Sequence, residues 1–203
     1  IDLELGGKSA NIITASADLE RAIDGALTSI FANNGQQCFA GSRILVDRKI
    51  ADRFIDEFAA RARRVRVGRP LDAGTEVGPL ANAAQHKRVQ SYVDIALGQG
   101  ATLLAGGRRP AGLDKGYFFE PTVVLAQSNS DRVCQEEIFG PFAALQIYDD
   151  FDEALSIAND SDYGLVAYLW SNDLQQSLHA ARALEAGTVL VNTPMNLDLR
   201  FPF

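Results

Sequence analysis

The chain has 203 residues, 47% hydrophobic and 22% charged, with a net charge of −7. These are the proportions of an ordinary globular protein that can bury one sizeable core. An acidic balance without a basic stripe disfavours nucleic acid and anionic membrane surfaces, which need a cationic footprint, and no apolar run approaches the roughly 20 residues that span a bilayer.

Two cysteines, Cys38 and Cys134, are too few for a disulfide framework and suit a reducing, cytoplasmic setting. No signal-peptide pattern opens the chain. The only methionine is Met195, and the last residues, Leu199-Arg200-Phe201-Pro202-Phe203, end without a cap or polar tail. The chain is therefore expected to be a piece of a longer one.

In chain order, 11–14 (NIIT) reads as a strand, and Asp18 then caps a helix reaching about Asn33. Leu19, Ala22, Ile23, Ala26, Leu27, Ile30 and Phe31 follow its i, i+3, i+4 rhythm. A second strand over 43–46 precedes a helix from about Ile50 to Val65. The Gly/Pro-rich stretch 68–79 is a connection. A helix over about 83–97 and a strand over 102–105 follow. A glycine-rich, hairpin-like region at 106–116 then leads to a strand over 118–126, which Pro121 confines to an edge or a strand start. The rest alternates: strand 143–148, helix 151–159, strand 165–170, helix 174–184, strand 188–191. Strands separated by such helices predict an α/β fold, an open and mostly parallel sheet of five to seven strands with helices on both faces.

Two residues stand out chemically. Cys38 lies in Asn33-Asn34-Gly35-Gln36-Gln37-Cys38-Phe39-Ala40-Gly41-Ser42-Arg43, where a helix gives way to a strand. There a thiol can face a cleft while its own N–H stays free to serve an oxyanion. Free cysteine is also often just a small buried hydrophobe. Glu4 stands between Leu3 and Leu5, a costly burial for a carboxylate that would suit a general base. Simple strand alternation would instead turn it to solvent.

Leu3-Glu4-Leu5-Gly6-Gly7-Lys8 resembles the glutamate signature of the aldehyde dehydrogenase superfamily, and Phe31–Ser42 resembles its cysteine signature. The interval of 34 residues between Glu4 and Cys38 matches the family. Gln135-Glu136-Glu137-Ile138-Phe139-Gly140-Pro141 resembles a third family block. Gly78-Pro79-Leu80, Phe119-Glu120-Pro121-Thr122, Tyr163-Gly164-Leu165 and Gly187-Thr188-Val189 follow in family order over essentially the whole chain.

The resemblance implies NAD(P)-dependent oxidation of a small aldehyde. Cys38 would be the nucleophile and Glu4 the general base on the hydrolytic water. Glu137 would bond the nicotinamide ribose, although Glu136 is an alternative. Phe139 would pack by the nicotinamide ring, unless it is core, and Leu5 and Gly6 would approach the carboxamide. It implies that residues 1–203 form the catalytic domain of a homodimer or homotetramer. The cofactor domain, an oxyanion-hole asparagine and a C-terminal arm would lie outside the chain, so the chain alone is expected to oxidise aldehydes poorly. The segment 192–200 falls where the family lines its substrate tunnel and faintly resembles semialdehyde dehydrogenases. Arg200 there would meet a substrate carboxylate.

Cys134 matches no catalytic position and reads as packing. His86 and His179, on separate helices, match neither a metal set nor a thiol-activating histidine.

Overall fold

A computed structural model describes residues 4–194. Seven strands, β1 (Ala10–Ile13), β2 (Arg43–Asp47), β3 (Thr102–Ala105), β4 (Thr122–Leu125), β5 (Phe142–Tyr148), β6 (Val166–Trp170) and β7 (Thr188–Val191), form one sheet in the order β3-β4-β5-β2-β1-β6-β7. Every neighbouring pair is parallel except the antiparallel edge pair β3–β4. Six helices alternate with them: α1 (Leu19–Phe31), α2 (Ala51–Ala62), α3 (Ala83–Gly98), α4 (Arg132–Gln135), α5 (Phe151–Asn159) and α6 (Leu174–Ala183).

The period-2 pleat sorts each strand's apolar residues onto two faces. Ile13, Ile44, Val46, Leu145 and Trp170 meet Ile23, Ala26 and Ile30 of α1 and Phe54 and Phe58 of α2. Their neighbours Ile12, Leu45 and Leu169 point the other way, to Leu155 of α5 and Ala180 of α6. On that same side Val124, Phe142 and Ala144 pack on Val89, Tyr92 and Val93 of α3. Both faces are covered, so the central strands read as unbroken apolar runs. Phe54 and Phe58 are fully buried, with rings stacked at 5.5 Å, and burying such a side chain contributes about 1.5–3 kcal/mol.

Asp18 caps α1 by accepting from the Arg21 N–H at 3.2 Å, as the sequence predicts. The helix stops at Phe31 instead of Asn33, giving way to a 3-10 turn over Ala32–Gly35. The strand expected over 118–126 is only Thr122–Leu125. Pro121 immediately precedes it, at a strand start, because it has no N–H for the ladder. Ahead of it the Glu120 N–H bonds to the Arg108 carbonyl at 2.9 Å, in the loop and not in the sheet. No helix among the described residues is long and apolar enough to cross a membrane.

Candidate active site

Three chain segments enter three neighbouring strands at the same end of the sheet. Glu4–Gly7 leads into β1, the Cys38 loop into β2, and Glu137–Phe139 into β5, and the sheet sets these strands side by side as β5-β2-β1. Open α/β sheets usually bind ligands at the carboxyl ends of their strands, whereas these segments gather at the amino ends. Glu4, Leu5, Gly6, Cys38, Glu137 and Phe139 line a single open cleft, together with Gln36 and Gln37.

The loop that presents Cys38 begins with three consecutive left-handed residues, Asn33 (φ 49°), Asn34 (φ 60°) and Gly35 (φ 67°). Asparagine and glycine bear that conformation at least cost, so Asn-Asn-Gly is suited to this exit from α1. Asn34 then clamps the loop, accepting from the Gly78 N–H at 2.8 Å and donating to the Pro79 carbonyl at 2.9 Å. Gln36 accepts from the Ala81 N–H at 3.1 Å. Gly35 lies against the Gly140 carbonyl, where an added Cβ would stand 2.1 Å from the oxygen. Behind the thiol, the buried Tyr168 hydroxyl donates to the Phe39 carbonyl at 2.8 Å. The Gly78-Pro79-Leu80 block thus acts as a strut for the cysteine loop.

The Gly6-Gly7 pair is required by close approach within the protein. The Gly7 N–H donates to Glu137 Oε1 at 2.9 Å. A Cβ on Gly6 would stand 2.7 Å from Glu137 Oε2, and one on Gly7 would stand 2.0 Å from the Cys38 carbonyl oxygen. The glutamate segment therefore touches both the cysteine loop and Glu137 through bare backbone. Phe139 is itself left-handed (φ 61°) and 39% exposed, so it belongs to the cleft wall and not to the core. Gln85 donates to the Ile138 carbonyl at 2.9 Å and to that of Phe139, and Arg88 donates to the Glu137 carbonyl. Between the two glutamates, Glu137 faces the cleft. Glu136 is held by Arg132 at 2.7 and 2.9 Å and by the Tyr92 hydroxyl.

Glu4 is exposed and lies outside any strand. The costly burial that its two leucine neighbours suggested does not occur, because Leu5 is itself 66% exposed. Cys38 is half-buried, and its thiol is held above the ordinary cysteine value. Burial is the main cause and the charge of Glu4 the next; the N–H groups of Cys38 and Phe39 work against them. Cys134 is fully buried beside Val133 in the core under α3, and burial pushes its thiol up to about 11. Although polar residues flank the Val133-Cys134 pair on both sides, the single turn of α4 directs these two inward. Arg200 lies outside the described residues.

Sequence reasoning missed Lys8. It is 2% exposed, and its Nζ has no hydrogen-bond partner among the described residues. Burial, aided by the nearby Arg43 charge and opposed by Cys134 and Glu137, brings its ammonium down to about 7. The folded state then binds this proton less well than the unfolded chain, whose lysine titrates near 10.4. The penalty is full below pH 7 and is relieved as pH rises toward 10. Lys8→Met is therefore expected to gain more stability over the unaltered protein at pH 6.5 than at pH 9.5 in urea unfolding. An equal gain at both would show that Lys8 is not buried as an ammonium.

The family model described as "Aldehyde dehydrogenase family" matches residues 1–203. The chain is 48% identical over 206 residues to 5-carboxymethyl-2-hydroxymuconate semialdehyde dehydrogenase of Escherichia coli, covering 99% of this chain and 44% of that protein. It superposes on PnpE from Pseudomonas sp. WBC-3, also solved in complex with nicotinamide adenine dinucleotide, with a TM-score of 0.97 and 46% identity, over 100% of this chain and 42% of that one. Betaine aldehyde dehydrogenase from Staphylococcus aureus, in complex with NAD+, gives a TM-score of 0.97 at 40% identity, over 99% of this chain and 40% of that one. The chain thus spans less than half the length of these relatives. With a full-length family match and this level of identity, the chain belongs to the aldehyde dehydrogenase family.

Proposed function

We propose that the protein carrying this chain oxidises a small aldehyde to its carboxylic acid with NAD or NADP, using Cys38 as nucleophile and Glu4 as general base. The observation that carries this reading is that Glu4, Cys38, Glu137 and Phe139, from three separate chain segments, line one open cleft.

The cleft fits the nicotinamide end of such a cofactor. Glu137 offers a carboxylate, an acceptor-only group suited to ribose hydroxyls, fixed in place by the Gly7 N–H. Gly6 leaves room beside it that a Cβ would fill, and the exposed faces of Leu5 and Phe139 give an apolar wall. When bound, the nicotinamide supplies the acceptor for the hydride.

The Cys38 thiol proton passes to Glu4, directly or through a water, and the sulfur forms a bond to the aldehyde carbonyl carbon. Negative charge then develops on the carbonyl oxygen, where the Cys38 N–H can donate. The C–H bond of the resulting thiohemiacetal breaks with its electron pair leaving as hydride, and the carbonyl reforms as a thioester on Cys38. After releasing the thiol proton to solvent, Glu4 takes a proton from water, the hydroxide oxygen bonds to the thioester carbon, and the C–S bond breaks. The acid leaves, and the sulfur takes up a proton again. Because the thiol is held up and not down, a nearby proton acceptor is needed for the first step as well as the last.

Glu4→Gln is expected to slow deacylation more than acylation, since water is a far poorer nucleophile than sulfur and depends more on the base. Stopped-flow absorbance at 340 nm should then show a burst of reduced cofactor followed by turnover slowed by about 10²-fold or more. Unchanged steady-state turnover would remove Glu4 from this role. The free thiols Cys38 and Cys134 suit a reducing cytoplasm, and the family resemblance favours a homo-oligomer.

A further inference from the structure

Arg43 is 1% exposed and opens β2, five residues after Cys38. A guanidinium stays charged inside a protein, and burial without compensation is costly. Here the compensation comes from carbonyl oxygens. Nε donates to the Lys8 carbonyl at 3.0 Å, Nη1 to the Ile157 carbonyl at 2.9 Å and to Asn129 Oδ1 at 3.2 Å, and Nη2 to the Ala158 carbonyl at 2.7 Å. Ile157 and Ala158 belong to the last turn of α5, whose carbonyls lack partners within the helix and carry the negative end of its dipole. The Arg43 backbone N–H also bonds to the Ser9 carbonyl at 3.2 Å.

One residue thus grips two successive carbonyls, Lys8 and Ser9, of the segment that carries Glu4 and Gly7, while its own backbone continues from the Cys38 loop. The far end of its side chain is anchored on α5. We propose that Arg43 is a positioning residue that fixes the distance between the Glu4 segment and the Cys38 loop, with the C-terminus of α5 as its anchor. This rests on the reading of Glu4 and Cys38 as base and nucleophile. Lysine at this position would keep the charge but not the planar fork that reaches carbonyls from three directions.

The test uses Arg43→Lys in the whole protein that carries this chain, with Arg43→Met as a harsher companion. Cys38 alkylation by iodoacetamide is followed against pH in four proteins: unaltered, Glu4→Gln, Arg43→Lys, and the double variant. Glu4→Gln should lower the apparent alkylation pKa of Cys38 in the unaltered background, because it removes a neighbouring negative charge. In the Arg43→Lys background that displacement should shrink by half or more. Turnover per titrated Cys38 thiol should fall about 10- to 100-fold with KM nearly unchanged, as expected for a misplacement near 1 Å. Normalising to titrated thiol separates misplacement from a smaller folded fraction, so failure of Arg43→Met to fold leaves the result intact. An undiminished Glu4→Gln displacement in Arg43→Lys would overturn the proposal. If Glu4→Gln moves nothing even in the unaltered protein, the pairing of Glu4 with Cys38 fails instead. Arg43 is then judged on turnover per thiol, and wild-type turnover in Arg43→Lys overturns it.

Discussion

In the protein carrying this chain, the proposed role of Cys38 predicts that Cys38→Ala lowers aldehyde oxidation by on the order of 10⁴–10⁶-fold, the loss that follows removal of a nucleophile acting as a unit with its base. The same thiol should be the one that iodoacetamide labels. Cys38 is half-buried at an open cleft, whereas Cys134 is shut inside the core with its thiol pushed up to about 11. Only thiolate reacts, so both burial and protonation protect Cys134. The Cys38 thiol is itself held above its usual value by burial and by Glu4, and its labelling rate should therefore keep rising beyond the pH at which a free cysteine has levelled off. Peptide mapping by mass spectrometry of the folded protein checks the first point and a pH series the second. Preferential modification of Cys134 would remove the assignment of Cys38.

Gly7→Ala should damage catalysis and stability together although it adds one methyl group. The new Cβ would stand 2.0 Å from the Cys38 carbonyl oxygen, a backbone atom that cannot rotate away. Either the cysteine loop or the glutamate segment must move by about an ångström, and the Gly7 N–H bond to Glu137 is disturbed with it. Displacement on that scale costs about 10² in kcat, and overpacking of this kind costs about 1–3 kcal/mol of stability. Gly98→Ala, at the end of α3 with nothing within 4 Å of the added atom, is the control and should gain up to about 1 kcal/mol. Steady-state kinetics and thermal melts on the two variants decide the matter. Wild-type kinetics for Gly7→Ala would mean that the two segments are not in contact.

The layered architecture was legible because it depends on local patterns: α1 shows an uninterrupted helical apolar stripe, and β2 and β6 are β-branched and aromatic runs bounded by breakers. The misses have local causes too. The single turn of α4 is too short to show a period, and Phe118–Glu120 has strand-like composition but bonds to its loop. The left-handed exit from α1 had a readable signal in Asn33-Asn34-Gly35 that helical periodicity overran. The site residues were named through family resemblance. Their convergence depends on β5, β2 and β1 lying side by side, a long-range fact that no local window contains. Lys8 and Arg43 were passed over because a cation beside a strand usually turns to solvent. In a sheet covered on both faces it has no solvent to reach.

The order of the sheet also sets which parts of the protein can open independently. Among the described residues, β5, β2 and β1 lie inside the sheet, each with a hydrogen-bonded neighbour on both sides, while β3 and β7 form the rims. All four residues of β7 are only half-buried, and the first two of β3 are exposed. Rim strands can fray at a small fraction of the global unfolding free energy, whereas core strands open at free energies that approach the global value. The three segments that build the cleft lead into these interior strands, so fraying confined to the rims would leave Cys38, Glu4 and Glu137 at their spacing.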